Sequence, residues 1–318
     1  MRNILLAGAL LVAASAPAQE AAYPSKPIRI VVGYSTGGGN DLIARLLAPK
    51  MTEGLGQAVL IENRPGAQSI IACEYVAKSA PDGYTLLMGP TGPMAMNPAT
   101  YSKLPYAPLT DFVPVSMIGS FPLIVAVNAA LPVRSVKDLV EYAKAHPGDV
   151  NYGASAAAFQ IATELFKQKT GTTFAHIPYK GSGDSVKAVM SGEVTMTIVD
   201  PPPISGPMKA GTVRALAVTS AQRHPWWPEL PTLAEAGYGD VEIILWTGFF
   251  VPARTPPAIV KRLQDEVARV VRIPEIRERL VGLGVDAAGN SSEEFGRIVA
   301  RDMEKWIAVA KAANIHND

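Results

Sequence analysis

The strongest constraint in this sequence is a unit of strand, glycine-rich loop and helix that recurs along the chain. Residues 28–32 form a β-branched apolar run, residues 33–40 are rich in glycine, and residues 41–51 space their leucines as a helix does. A further helical stretch at 68–79 precedes a short apolar strand at 84–88. This alternation predicts an α/β fold built on a parallel sheet.

The same unit recurs in the second half of the chain. Residues 150–152 and 156–170 repeat the strand and the helix, and an apolar run at 243–250 predicts a buried strand that returns to the first unit. Residues 97–122 are rich in proline and predict an irregular segment. The pattern predicts two lobes, with lobe 1 formed by 23–123 plus 243–318 and lobe 2 by 124–242.

Residues 1–18 have the features of a secretory signal peptide. Arg2 gives a positive start, residues 4–14 are apolar or glycine, and Ala16-Pro17-Ala18 supplies the small residues of a cleavage site. The apolar run of about 11 residues is shorter than the about 20 that span a bilayer. The single cysteine lies too far downstream to carry a lipid anchor. We therefore expect an exported, soluble mature chain.

Charge and composition exclude several classes of function. Lys and Arg number 29 against 28 Asp and Glu, so no basic excess is present to neutralise nucleic-acid phosphates. One cysteine and four histidines exclude a disulfide framework, a Cys-rich zinc site and an iron–sulfur cluster. We therefore expect no metal, no cofactor and no nucleic-acid partner.

Four loops that join a strand to a helix are candidates for a ligand site. In open α/β sheets ligands bind at the carboxyl ends of strands, and helix N-termini favour anions. The loop containing Gly37–Gly39 matches neither a dinucleotide fingerprint nor a phosphate-binding loop. Asp41, in the first helical turn after it, either caps the helix or orients the loop and bonds a ligand. The other loops are 152–159, 179–184 and 200–203.

A hydrolase is a minor alternative. Ser155 stands where a nucleophile elbow has its serine, but Ala157 replaces the last glycine of that motif. Of the histidines, only His176 lies in an apolar strand, where a structural histidine is the usual explanation. Phe159 and Trp246 are left as residues that either line a cleft or pack in the core.

Motifs of a known receptor family run in order through the mature chain. They are Tyr23–Val32, Gly37–Asp41 with Ala44-Arg45, Glu62–Gly66, Ala80–Leu87, Leu104–Tyr106, Asp111–Pro114, His176–Gly181, Arg214–Ser220, Pro231–Gly237 and Trp246. On these motifs the chain resembles the extracytoplasmic solute receptors of tripartite tricarboxylate transporters, often called Bug receptors. The resemblance implies a two-lobed periplasmic-binding-protein fold, type II-like, with a ligand cleft between the lobes.

The resemblance also implies a function. It implies a periplasmic, non-catalytic, monomeric receptor that captures a small organic carboxylate and passes it to the membrane subunits of a transporter. The alternative within the same architecture is a receptor that presents its closed form to a membrane sensor protein.

Site residues follow from the same resemblance, because in that family two loops hold the ligand carboxylate through backbone N–H groups and water. The residues carried over are Thr36, Gly38, Gly39, Asp41, Ser155, Ala157 and Ala158, and we add Tyr34, Thr91, Phe159, Tyr179 and Asp200 as further ligand-binding candidates. The second loop departs from the family, because residues 156–159 are alanines and a phenylalanine rather than side-chain donors. This predicts a ligand with an apolar or aromatic body and one or two carboxylates, rather than a hydroxyl-rich tricarboxylate.

Overall fold

The structure, a computed structural model, describes residues 23–239, 241–313 and 315, so the predicted signal peptide lies outside the described residues. In chain order the strands are β1 (Ile28–Val32), β2 (Val59–Asn63), β3 (Thr85–Pro90), β4 (Phe112–Pro122), β5 (Ile124–Asn128), β6 (Asn151–Ala154), β7 (Ala175–Pro178), β8 (Met196–Val199), β9 (Val213–Val218), β10 (Ile244–Pro252) and β11 (Asp286–Ala287). They form two sheets, ordered β11-β4-β10-β3-β1-β2 and β7-β6-β8-β5-β9; lobe 1 below denotes the first sheet with the helices packed on it, and lobe 2 denotes the second sheet with its helices.

Helices connect and cover these strands. They are α1 (Gly39–Leu55), α2 (Ile70–Ala77), α3 (Asn97–Thr100), α4 (Pro108–Asp111), α5 (Val136–Ala145), α6 (Ala157–Thr170), α7 (Ser182–Ser191), α8 (Pro201–Lys209), α9 (Pro257–Val271), α10 (Pro274–Gly282) and α11 (Ser292–Ala313). A 3-10 turn at Ala67–Ser69 precedes α2, and a π-helical turn at Gly92–Met96 precedes α3. No helix among the described residues combines the length and apolar character needed to cross a bilayer.

The α/β class and the strand–loop–helix units are confirmed, but the sheets are mixed rather than parallel. β1 pairs in parallel with β2 and β3, and β6 pairs in parallel with β7 and β8. In contrast, β10 runs antiparallel to β3 and β4, and β5 runs antiparallel to β8 and β9. In each sheet the antiparallel strand is the one by which the chain arrives from the other sheet, because only Leu123 separates β4 from β5 and β10 returns to the first sheet after β9. Such a direct passage bypasses the helical crossover that makes neighbouring strands parallel.

The prediction of an irregular segment at residues 97–122 is wrong. The segment contains two short helices and β4, the longest strand described, which pairs with β10. Pro114 is tolerated because it lies opposite Phe250, next to a register shift in that pairing. Proline is found at such irregularities, where the strand does not need every ladder hydrogen bond.

Helix α8 begins where the sequence predicts a loop. Its first three residues are Pro201, Pro202 and Pro203, and Asp200 stands at its N-cap. The first four N–H groups of a helix have no acceptor within the helix, so prolines there lose no hydrogen bond and supply a suitable φ angle. The same first turn gives Asp200 no N–H group to cap, which leaves its carboxylate free for other contacts.

Trp246 belongs to the core beneath the first sheet. Its side chain is 3 % exposed, and its ring makes an edge contact with Phe295 at 5.1 Å between centroids. Its indole Nε1–H donates to Oδ2 of Asp302 at 2.8 Å. Trp246 therefore holds α11 against β10 and does not line the cleft described below.

Candidate functional site: a closed cleft between the lobes

The glycine loop between β1 and α1 is organised by Asp41. This carboxylate is 1 % exposed and accepts hydrogen bonds from the backbone N–H of Gly37, from Nε of Arg45 and from Nδ2 of Asn63, each at 2.9 Å. Burial acts to raise the pKa of Asp41, but these hydrogen bonds hold it below its ordinary value. Of its two anticipated roles, the structure shows the one that orients the loop.

The N-terminus of α1 is capped by the opposite lobe. Its N-cap is Gly38, which has no side chain, and the N–H of Gly39 donates instead to Oγ of Ser182 on α7 at 3.2 Å. The carboxylate of Asp200 packs against Gly39 so closely that a Cβ there would overlap Oδ2. The space in front of Gly38 and Gly39, where the sequence predicts a ligand carboxylate, is therefore filled by groups of lobe 2.

Asp200 is a buried carboxylate at this contact. Its side chain is 2 % exposed, and Oδ1 has no hydrogen-bond partner in the described structure. Burial raises its pKa to about 6, and the neighbouring Ser182 hydroxyl acts in the opposite direction. Asp200 therefore places an unpaired carboxylate oxygen at the contact between the lobes.

The lobes touch directly at a second loop. The backbone N–H of Ser35 donates to the carbonyl of Lys180 at 3.1 Å, and its hydroxyl donates to Oδ2 of Asp184 at 2.7 Å. At Gly183 a Cβ would lie 2.6 Å from the carbonyl oxygen of Gly37, so the backbones meet with no room for a side chain. The structure thus shows the cleft in a closed state.

A cavity of about 350 Å³ lies between the two lobes. This volume falls within the range of small-molecule sites, about 300–1,000 Å³. The lining residues are Gly33, Tyr34, Gly66, Ala67, Gln68, Ser69 and Tyr101 from lobe 1, and Ala154, Ser155, Ala156, His176, Pro178, Tyr179 and Lys180 from lobe 2. Aromatic and small apolar groups thus surround a few polar ones, which is the usual composition of a site for a small organic molecule.

The predicted site residues divide into three groups. Tyr34, Ser155 and Tyr179 line the cavity, whereas Gly38, Gly39, Asp41 and Asp200 form or support the lobe contact. Thr36, Thr91, Ala157, Ala158 and Phe159 do not line it. Thr36 is exposed and bonded to Asn63, and the hydroxyl of Thr91 exchanges hydrogen bonds with the backbone of Trp246. Phe159 is only 7 % exposed in the first turn of α6, so its ring gives no support to an aromatic ligand.

The turn after β2 supplies three residues of the cavity lining that the sequence does not predict. Ala67, Gln68 and Ser69 have φ angles of 45°, 50° and 72°, which lie in the left-handed region. L-residues there cost about 1 kcal/mol each, so three in succession mark a segment held by its surroundings. The segment follows the carboxyl end of β2. The rule that identifies the other candidate loops, that ligands bind at the carboxyl ends of strands, therefore identifies this one as well.

Three polar atoms in the cavity wall have no hydrogen-bond partner. They are Oγ of Ser155, whose side chain is 5 % exposed, Nε2 of His176 and Oε1 of Gln68. The ring of His176 stacks on Tyr152 at 5.0 Å, and burial lowers the pKa of its imidazole, which keeps it neutral at pH 7. Buried polar groups in proteins are almost always paired, so these atoms are suited to partners from a bound molecule.

The same observation bears on the hydrolase alternative. Oγ of Ser155 and Nε2 of His176 both lack a hydrogen-bond partner, so no hydrogen bond joins these two atoms. A serine nucleophile requires a base within hydrogen-bond reach, and Ser155 has none in this structure.

A two-lobed α/β fold with a cavity between the lobes is the architecture of periplasmic solute-binding proteins. The family model described as "Tripartite tricarboxylate transporter family receptor" matches residues 43–315. Protein BugT of Bordetella pertussis is 34% identical over 300 residues, which cover 93% of this chain and 92% of that protein. The chain belongs to the tripartite tricarboxylate transporter receptor family, whose members are periplasmic solute-binding receptors rather than enzymes.

Solved structures agree with this assignment. The periplasmic binding protein BugD superposes with a TM-score of 0.90 at 29% identity, covering 93% of this chain and 100% of that one. An R. palustris protein solved with adipate gives a TM-score of 0.89 at 38% identity, covering 92% and 99%. The predicted two-lobed binding-protein fold is thereby confirmed.

Proposed function

We propose that this protein is a periplasmic receptor that captures a small carboxylate with an apolar body between its lobes and delivers it to a tripartite tricarboxylate permease. The observation that carries the proposal is the cavity between the lobes, whose described lining contains one lysine, Lys180, and no acidic side chain. The adipate in the R. palustris relative is an acid of this class.

The carboxylate is proposed to bind at the start of α6. Its N-cap, Ala156, makes no side-chain cap hydrogen bond, so the first N–H groups of the helix need another acceptor. Helix N-termini favour anions, and the unpartnered hydroxyl of Ser155 immediately precedes this one.

The apolar body is supported by residues other than Phe159. Tyr34 and Tyr101 line the cavity from lobe 1, and Ala154, Ala156 and Pro178 line it from lobe 2. A hydroxyl-rich acid would leave its hydroxyl groups against these apolar surfaces, which costs free energy when they are desolvated. We therefore expect aliphatic and aromatic acids to bind better than citrate.

A thermal-shift screen tests the ligand class. Purified mature protein is heated with straight-chain dicarboxylates of four to eight carbons, benzoate and citrate, over a concentration series. A ligand at 100 times its Kd stabilises the folded state by about 2.7 kcal/mol, which is readily measured as a rise in Tm. The proposal fails if none of the acids raises Tm or if citrate raises it most. Small-angle scattering on the best ligand should show compaction on binding.

Delivery to a permease requires a separate experiment. The receptor with its best ligand is cross-linked in membranes of the native host, and the captured membrane proteins are identified. Recovery of the transporter's membrane subunits supports transport, whereas recovery of a sensor kinase assigns the receptor to sensing. We expect the receptor to act as a monomer, which light scattering of the same sample reports.

A further inference from the structure

The left-handed turn in the cavity wall is held from within lobe 1. The carbonyl oxygen of Gln68 accepts a hydrogen bond from Nδ2 of Asn97 at 3.2 Å, and Asn97 is fully buried. The same amide nitrogen of Asn97 lies 3.2 Å from the hydroxyl of Tyr106. Because the backbone at Gln68 is fixed by a buried partner, its conformation is imposed by the fold and not by local sequence preference.

The side chain of Gln68 crosses the cleft. Its Nε2 donates to Oε1 of Gln160, in the first turn of α6 on the opposite lobe, at 3.3 Å. A hydrogen bond between lobes forms only while they are closed, so Gln160 holds the amide of Gln68 in place in the closed receptor.

The remaining oxygen of this amide has no partner. Oε1 of Gln68 is buried beside the cavity, as are the unpartnered Oγ of Ser155 and Nε2 of His176. These three groups come from both lobes. None of them is charged, because burial lowers the pKa of the His176 imidazole. Buried polar atoms are normally paired, so three in one cavity indicate a polar group supplied by the ligand.

We propose that Gln68 sets the ligand specificity of this receptor, its amide binding a second polar group of the carboxylate ligand together with His176, while Ser155 remains with the first carboxylate at the start of α6. This inference rests on the proposed function. Gln68 and Gln160 are both amides and can turn over together without losing their hydrogen bond, so Gln68 presents either its oxygen or an N–H and accepts a carboxamide or a carboxylate at that end. The ligand class is therefore a short acid with a polar group at each end, and a simple fatty acid of equal length lacks the second partner.

The test compares three probes of equal chain length by calorimetry: a straight-chain diacid, its monoamide and the corresponding monoacid. For six carbons these are hexanedioate, its monoamide and hexanoate, and the chain length is the one that the thermal-shift screen finds best. We expect the native receptor to bind the first two at least about tenfold more tightly than hexanoate, the value of one good hydrogen bond. Gln68→Ala should remove this preference by weakening the first two probes about tenfold while leaving hexanoate unchanged. Gln68→Glu should weaken the diacid further than the monoamide, because two carboxylates then face each other.

The matched control is Gln222→Ala, the same change at an exposed glutamine that does not line the cavity. It should leave the ratio of the three affinities as in the native receptor. The inference is overturned if Gln68→Ala weakens all three probes equally or leaves the ratio unchanged. If the native receptor binds no acid of any length, the proposed function itself fails, and the two failures are thereby distinguished.

Discussion

Replacement of Asp200 by asparagine tests how the two lobes meet. The carboxylate is buried against the first residue of α1, with one oxygen unpartnered, and burial raises its pKa to about 6. Asparagine has nearly the same shape but no charge, so Asp200→Asn removes the titration and retains the packing.

The magnitude follows from the pKa of the folded state. A value of about 6 lies roughly two units above the ordinary one, which corresponds to about 3 kcal/mol. Since the folded pKa is raised, the protonated carboxyl contributes stability that is fully present below about pH 4 and is lost as the pH rises through about 6. The positive end of α1 favours the carboxylate by about 1 kcal/mol. We therefore expect the free energy of unfolding to fall by about 2 kcal/mol when the carboxyl group ionises.

The assay is a series of melting curves between pH 4 and pH 8 for the native protein and for Asp200→Asn. At pH 7.5 the variant should be more stable by about 2 kcal/mol, or about 4 °C in Tm for a chain of this size, and near pH 4 the curves should converge. Asp149→Asn, on an exposed turn, is the control and should follow the native curve. The reasoning is refuted if Asp200→Asn parallels the native protein at every pH or is less stable at pH 7.5.

Three further substitutions probe other parts of the structure. Gly39→Ala places a Cβ against Asp200, so we expect ligand-induced compaction in small-angle scattering to disappear; retained compaction would contradict the packing described here. Ser135→Ala removes the N-cap hydrogen bond of α5 and should lower the free energy of unfolding in urea by about 1 kcal/mol, against no loss if the cap is unimportant. Trp246→Phe leaves an oxygen of Asp302 without its indole donor and should cost about 1–3 kcal/mol by the same measurement, with ligand affinity unchanged.

Elements built from local signals were predictable from the sequence. Ser135, standing before a helical pattern at 136–146, predicts a helix N-cap, and its hydroxyl accepts from the N–H of Asp138 at 3.1 Å. The amphipathic pattern at 292–313 predicts a helix, and α11 spans Ser292–Ala313. Strand β4 was missed because its partner β10 is distant in the chain, and a proline-rich strand gives no periodic signal of its own.

The candidate site shows the same division. Tyr34, Ser155 and Tyr179 reach the cavity because they follow the carboxyl ends of strands, a rule that depends on topology alone. Gln68 was read as the start of a helix, because the hydrogen bond from Asn97 that holds its left-handed conformation is a tertiary contact. The contact of Asp200 with Gly39 likewise joins residues of different lobes, so no local pattern indicates it.

The shared cap of α1 has a consequence for protein engineering. Because Ser182 and Asp200 complete a helix that begins in the other lobe, each lobe carries part of its neighbour's structure. A chimera that takes one lobe from a relative must therefore keep Gly39 and these two side chains as a matched set, or its closed form will lack a cap. Grafting individual cavity residues onto the intact chain avoids this incompatibility, which makes it the better route to receptors with altered ligands.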